Sequence, residues 1–280
     1  MFARETQIAI ELAREAGAIL LRHYQSPFLV EQKVNALQEM EEVTAADREA
    51  NDLIVERLSA EFPDDGILAE ESKDTERRLD KERVWLIDPM DGTKNFVQRD
   101  GDFAVQIGLS VGGESVVGTV YQPVRQVLYW AATGAGSWIE DSHKTRRQMT
   151  VSTQTNPHQM VLASSRSHPS PRMERVVHLF GFKNEVRRGS VGVKVGLITE
   201  QVADLYLHLS PSTKQWDTCA PEIILHEAGG RLSDLFGQPL RYNGVRIDNR
   251  NGIVATNGAA HEMVIEKLQP LLQEFGRVAV

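Results

Sequence analysis

The chain has one cysteine, Cys219, among its 280 residues, which excludes an internal disulfide and any cysteine-based metal cluster. No apolar run approaches the ~20 residues a membrane-spanning helix needs. The first residues, with Arg4 and Glu5 in an amphipathic pattern, also lack a signal-peptide core. A cytoplasmic protein without a membrane partner is therefore expected. Basic charge is scarce as well: 31 Lys and Arg face 39 Asp and Glu, a formal net charge of -8. This argues against a nucleic-acid polymer as the main partner. Nothing in His-Glu-x-x-His spacing and no Gly-x-Ser-x-Gly elbow occurs, so neither a zinc hydrolase nor Ser-His-Asp catalysis is supported. Repeats and low-complexity segments are absent too. What remains is a chain 41% hydrophobic and 25% charged, long enough for a large core in one or two domains, as a monomer or homodimer.

The chemistry is concentrated in Val84-Trp85-Leu86-Ile87-Asp88-Pro89-Met90-Asp91-Gly92-Thr93-Lys94-Asn95-Phe96. The apolar run from Val84 reads as a buried strand that Pro89 stops, because proline cannot donate to a ladder. Asp88 and Asp91 then emerge at a strand end, and Gly92 and Thr93 are small enough for backbone amides to converge on an anion at a helix start. Two carboxylates would repel a phosphate unless they hold a cation. Ile67-Leu68-Ala69 repeats the arrangement, delivering Glu70 at the end of a second short strand. Acids at two strand ends are what an oxygen-only cation site requires.

Along the chain, residues 2 to 25 read as an amphipathic helix and 26 to 42 as a loop or hairpin that includes Lys33. Thr44-Ala45-Ala46-Asp47 opens a second helix, where Thr-x-x-Asp is close to a capping box; on these residues alone Asp47 reads as a cap. Strands at 103–111, 115–121 and 126–131 follow in an antiparallel run, and the polar stretch 140–148 closes an α+β N-terminal part at 149. Residues 150–280 alternate strands and helices, an α/β part. Asp217, after Trp216 at a helix start, reads in isolation as a plain N-cap.

Asp-Pro-Met-Asp-Gly-Thr after a Trp-Leu-Ile strand, Glu70-Glu71-Ser72 upstream and Trp216-Asp217-Thr218-Cys219-Ala220-Pro221-Glu222 downstream together resemble the inositol monophosphatase superfamily of lithium-sensitive, magnesium-dependent phosphatases. The resemblance covers nearly the whole chain and implies a layered α-β-α-β-α sandwich. It implies Glu70, Asp88, Asp91, Asp217 and the Met90 carbonyl as ligands of two or three Mg²⁺, and Asp47 with Thr93 as the pair that deprotonates water. Gly92 and Thr93 would hold the phosphate. Oxygen donors without histidine or cysteine fit Mg²⁺ better than Zn²⁺.

The chain looks most like the 3'(2'),5'-bisphosphate nucleotidase branch. Inositol-specific members have a glutamate seven residues before the aspartate of Trp-Asp; here that position is Ser210, followed by Pro211, with Lys214 just before Gln215-Trp216. Ser164-Ser165-Arg166-Ser167-His168 and Gly189-Ser190-Val191-Gly192-Val193-Lys194 also resemble that branch. By that resemblance Ser165, His168, Gly189, Ser190 and Lys194 contact the nucleotide. The implied reaction is hydrolysis of adenosine 3',5'-bisphosphate to AMP and phosphate, a step that would serve sulfate assimilation. An inositol or sugar monophosphatase would keep all five acids and differ in the distal pocket. A non-catalytic metal- or nucleotide-binding module is the remaining alternative.

Overall fold

A computed structural model describes residues 1–27, 29–34, 40–166 and 170–279. Helix α1 (Ala3–Tyr24) buries Ala9, Leu12, Ala13, Ala16 and Leu20 at the spacing of one helical face. Strands β1 (Val30–Val34) and β2 (Met40–Thr44) pair as an antiparallel hairpin, and Thr44 caps α2 (Ala45–Glu61). Strand β3 (Gly66–Ala69) lies parallel to β4 (Arg83–Asp91), with a short 3-10 turn at Arg77–Asp80 between them. After the short α3 (Thr93–Val97) come β5 (Ala104–Val111), β6 (Glu114–Gln122), β7 (Val127–Ala132), β8 (Ser137–Glu140) and β9 (Arg146–Met149). They extend the sheet in chain order, β3 to β9, every pair from β4–β5 onward antiparallel. Gly112 and Gly113, at φ 59° and 83°, make the two-residue turn from β5 to β6, which needs positive φ at both positions.

The second sheet has the order β11-β10-β12-β14-β13. Its elements are β10 (Val161–Ser165), α4 (Pro171–Phe180), β11 (Asn184–Arg188), α5 (Val191–Thr199), β12 (Leu205–His208), α6 (Gln215–Glu227), β13 (Arg231–Ser233), β14 (Ile253–Thr256) and α7 (His261–Glu274). Strands β10, β11 and β12 run parallel.

Alternating side chains on the strands create five layers. Trp85, Ile87, Val105 and Ile107 face α1 and α2. On the other face Val120, Tyr129 and Ala131 meet Val193 of α5 and Ala220, Ile223 and Ile224 of α6. The same two helices press Val195, Ile198 and Leu225 onto Ala163, Tyr206 and Ala255 of the second sheet. Its far face carries Leu162, Leu205, Leu207 and Val254 against Val176 and Phe180 of α4 and Val264, Leu268 and Leu272 of α7. The architecture is thus the expected α-β-α-β-α sandwich. Helix α6 approaches the first sheet closely because two glycines let it: a Cβ on Gly118 would stand 2.3 Å from the Ala220 carbonyl oxygen, and one on Gly108 2.8 Å from the Ala220 nitrogen.

Two local expectations are corrected. Strand β4 does not stop at Pro89 but runs to Asp91, and its pairing steps from Asp88↔Gln106 to Asp91↔Ala104. Three residues on β4 thus match two on β5, a bulge whose unpaired positions accommodate a proline. The polar stretch 140–148 contributes the end of β8 and most of β9, an edge strand whose Arg146, Arg147 and Gln148 are exposed. Helix α5 ends at Thr199, and Gln201 turns the chain at φ 61°. Among the described residues, no helix is long and apolar enough to cross a membrane.

Candidate active site

The bulge of β4 aims its residues. Ala69 pairs with Ile87, so Glu70 and Asp88 leave neighbouring parallel strands at the same end, and the Glu70 N–H donates to the Ile87 carbonyl at 3.1 Å. Asp88 is buried, its Oδ1 accepting the Met90 N–H at 2.9 Å. Helix α6, lying across the inner face of the sheet, brings in Asp217, whose Oδ2 accepts the Lys214 N–H at 2.7 Å. The Asp88 and Asp217 carboxyls stand close enough to influence each other's charge. The expected ligand acids are therefore brought together, three from the first sheet and one from α6.

Their electrostatics fit a cation. Burial lifts Asp88 well above the usual carboxylate range, and the charges of Glu70, Asp91 and Asp217 push the same way. Burial, then the charge of Asp91, raises Asp217 to about 7. Asp91 is also raised by burial, against the opposing influence of Lys194, Ser190 and the first amides of α5. Acids that repel one another in a buried cleft retain protons until a cation replaces them. Among the described residues, no three histidine, cysteine, aspartate or glutamate side chains form a ready-made cage. An ion here would complete its shell with the Met90 carbonyl, water and substrate oxygens, as Mg²⁺ commonly does.

The two oxygens of Asp47 have different partners. Oδ2 accepts the Thr44 N–H and the Thr44 hydroxyl, both at 2.7 Å, which completes the capping box of α2. Oδ1 accepts the Thr93 hydroxyl at 3.3 Å, and that hydroxyl also reaches the Met90 carbonyl at 3.2 Å. Burial lifts Asp47 to about 6, against the Thr44 hydrogen bonds that favour its charge.

The residues matched to the nucleotide distribute differently. Gly189 is wedged against the first sheet's loops: a Cβ there would lie 2.2 Å from the Asp102 carbonyl oxygen and 2.5 Å from Asn95 Oδ1. Ser190, at the unusual φ of 41°, caps α5 by accepting the Val193 N–H and donates to Asp91 Oδ2 at 2.6 Å. Asp91 Oδ2 also accepts from Gln106 Nε2 at 2.6 Å, from the Gly192 N–H at 3.2 Å and from the Val191 N–H. The Gly189-Ser190 turn therefore orients a metal-ligand candidate directly. Lys194 is buried, its Nζ donating to the Gly189 carbonyl at 2.9 Å and standing 4.8 Å from the Tyr206 ring centroid. Burial pulls it down to about 8, while Asp91, Asp102 and Asp217 pull upward. Ser165 ends β10 opposite Arg188. His168 lies outside the described residues.

Sequence reasoning missed Gln106, Asp102 and Asn95. A lone glutamine in the apolar run Phe103–Val111 was a usable signal, since a fully buried amide needs partners. Asp102 and Asn95 carried none, because the Gly189 that both approach lies about ninety residues away in the chain.

The family model described as Inositol monophosphatase family matches residues 3–273. The chain is 36% identical over 233 residues to the 3'(2'),5'-bisphosphate nucleotidase CysQ of Salmonella typhimurium, covering 83% of this chain and 91% of that one. It is 30% identical over 236 residues to the Nus factor SuhB of Escherichia coli, covering 82% and 85%. The crystal structure of CysQ from Bacteroides thetaiotaomicron superposes with a TM-score of 0.76 at 28% identity, over 92% of this chain and 98% of that one.

Proposed function

Because this chain belongs to the inositol monophosphatase family, we propose that it is a Mg²⁺-dependent phosphatase that removes the 3'-phosphate of adenosine 3',5'-bisphosphate, leaving AMP and phosphate. One observation carries the hydrolytic reading: the Thr93 hydroxyl stands within hydrogen-bond reach of both Asp47 Oδ1 and the Met90 carbonyl, beside acids whose hold on their protons is strengthened by burial and mutual charge. The similarity to a bisphosphate nucleotidase supports the substrate.

Bound Mg²⁺, in two or three sites, would polarise phosphoryl and water oxygens and offset charge on the leaving oxygen. Glu70, Asp88, Asp91, Asp217 and the Met90 carbonyl are the groups to hold it. The Gly92 and Thr93 amides receive the phosphate. Thr93 takes a proton from the attacking water as its own passes to Asp47, a carboxylate lifted toward neutral pH and so suited to accept it. The ester bond breaks opposite the attack, and the ribose oxygen leaves with a proton from solvent. Ser165, His168, Gly189, Ser190 and Lys194 define the nucleotide side, Gly189, Ser190 and Lys194 by fixing the turn that orients Asp91.

The test is a substrate panel with and without Mg²⁺: adenosine 3',5'-bisphosphate, its sulfated analogue, inositol 1-phosphate and fructose 1,6-bisphosphate. Mg²⁺-dependent phosphate release fastest from the adenosine compounds is expected. Faster turnover of inositol 1-phosphate would move the chain to the inositol-specific side of the family, and no release from any would leave a binding protein.

A further inference from the structure

Glu70 leaves a strand of the first sheet, whereas Asp217 rides on α6 in the other half of the chain. The shape of the acid cluster therefore depends on how the start of α6 is held against the segment that follows Glu70. Gly108 and Gly118 seat the helix sideways at Ala220, almost a turn beyond Asp217. Its first turn has a separate anchor. Gln215, the first residue of α6, is buried and directs its N–H and its side-chain amide at one loop. The N–H donates to the Ile247 carbonyl at 2.8 Å and Nε2 to the Arg246 carbonyl at 2.9 Å, while Oε1 accepts the Asn243 N–H at 2.9 Å.

Asn243 carries the connection across to the first half. Its backbone is left-handed at φ 63°, its Nδ2 donates to the carbonyls of Arg78 and Lys81 at 2.9 and 3.1 Å, and its Oδ1 accepts Arg78 Nη1 at 2.9 Å. Arg78 belongs to the 3-10 turn between β3 and β4, and its side chain is only 1% exposed. Nη1 also donates to the Gly244 carbonyl at 3.1 Å, and the rest of the guanidinium grips Asp74, with Nη2 2.7 Å and Nε 3.1 Å from Oδ2. Asp74 stands four residues beyond Glu70. A buried guanidinium is costly unless its donors are satisfied. Here all three nitrogens are, with partners from both halves of the chain. A buried polar network whose members are paired holds one arrangement. The proposed chemistry uses none of these four side chains.

We propose that Asp74, Arg78, Asn243 and Gln215 form a brace that sets the first turn of α6 against the segment after Glu70 and so tunes the Mg²⁺ affinity of the acid cluster. They are positioning residues, acting through the backbone that carries Glu70 at one end and Asp217 at the other. The proposal deepens the Mg²⁺ reading above and rests on it.

Two variants break the brace at different links. Asn243→Gly keeps the left-handed backbone, which glycine adopts freely, and removes the side-chain bonds to Arg78 and Lys81. Gln215→Met keeps the side-chain length and removes both amide bonds. Apparent Mg²⁺ affinity is read without substrate, from the Mg²⁺ concentration at which the melting temperature begins to rise. It should weaken about tenfold in each variant, the scale of a lost outer-sphere partner. The double variant should be little worse than either alone, because one broken link already frees the brace. Adding Ser190→Ala, which acts through Asp91, should instead multiply the losses. A lower melting temperature with unchanged Mg²⁺ affinity would reduce the four residues to fold support and overturn the proposal. Losses that multiply between Asn243→Gly and Gln215→Met would overturn it as one connected device. If the parent responds to Mg²⁺ and both variants respond identically to it, the brace alone falls. If the parent's melting temperature ignores Mg²⁺, the metal reading falls and the brace with it.

Discussion

The two oxygens of Asp47 face Thr44 and Thr93 separately, and variants can separate the cap from the proposed chemistry. Thr93→Val removes the hydroxyl facing Oδ1 and leaves the Thr44 cap intact, so kcat should drop about a hundredfold, the scale of a lost acid-base group, with the melting temperature nearly unchanged. Asp47→Asn disturbs both oxygens and should lower turnover and stability together; kinetics beside calorimetry reads the difference. Glu222 gives the pH dependence. Burial, reinforced by the charge of Glu114, raises it to about 7, whereas in the unfolded chain it titrates near the ordinary ~4.3. The folded state therefore keeps a proton that the unfolded state releases. Its contribution is fully present below the unfolded value and is lost as pH rises through about 7. Glu222→Gln, always neutral, should melt higher than the parent at pH 8 and show no such gain near pH 4; equal shifts at both would mean the carboxyl stays ionised in the fold. At this scale the sequence was legible where partners are local. Asp88, Asp91 and Glu70 follow apolar runs of sequence, and Thr44-x-x-Asp47 announces its own hydrogen bonds. The second partner of Asp47, Thr93, lies 46 residues away and left no local signal.

Elements were legible to the extent that their periodicity was amphipathic. Helices α1 and α2 bury one face each, and β5 to β7 are separated by turn residues, so their existence and order followed from the pattern. Strand β9 was hidden because an edge strand with three exposed polar residues has no buried face to betray it. The bulge in β4 was hidden because a proline that ends most ladders can also occupy an unpaired position. Two element-scale predictions follow from the way α5 and α6 meet the first sheet. Ser190→Ala removes a hydrogen bond to Asp91 and should weaken apparent Mg²⁺ affinity about tenfold, as loss of a ligand's supporting partner does, measured by Mg²⁺ titration of activity. Gly118→Ala places a methyl against the Ala220 carbonyl of α6 and should lower the melting temperature by several degrees, with weaker Mg²⁺ activation because α6 carries Asp217.

At the scale of the whole molecule, an ion that binds only the folded state adds stability in proportion to the logarithm of its concentration. Raising Mg²⁺ should therefore raise the melting temperature of the parent and do so much less in Asp91→Asn; an unaltered Mg²⁺ response in that variant would remove Asp91 from the site. The layered sandwich itself has a further consequence. Asp47, Glu70, Asp88 and Asp91 precede residue 150 and Asp217 follows it, while α5 and α6 are wedged between the two sheets. Cutting the backbone between Met149 and Thr150 severs a connection after the last strand of the first sheet without dividing any helix or strand. The fragments 1–149 and 150–280 would each lack part of the proposed metal shell and expose one side of a shared apolar layer. Mixed together they should regain phosphatase activity by complementation, with a rate that depends on both concentrations, and Mg²⁺ should hasten it as an ion that staples one fragment to the other.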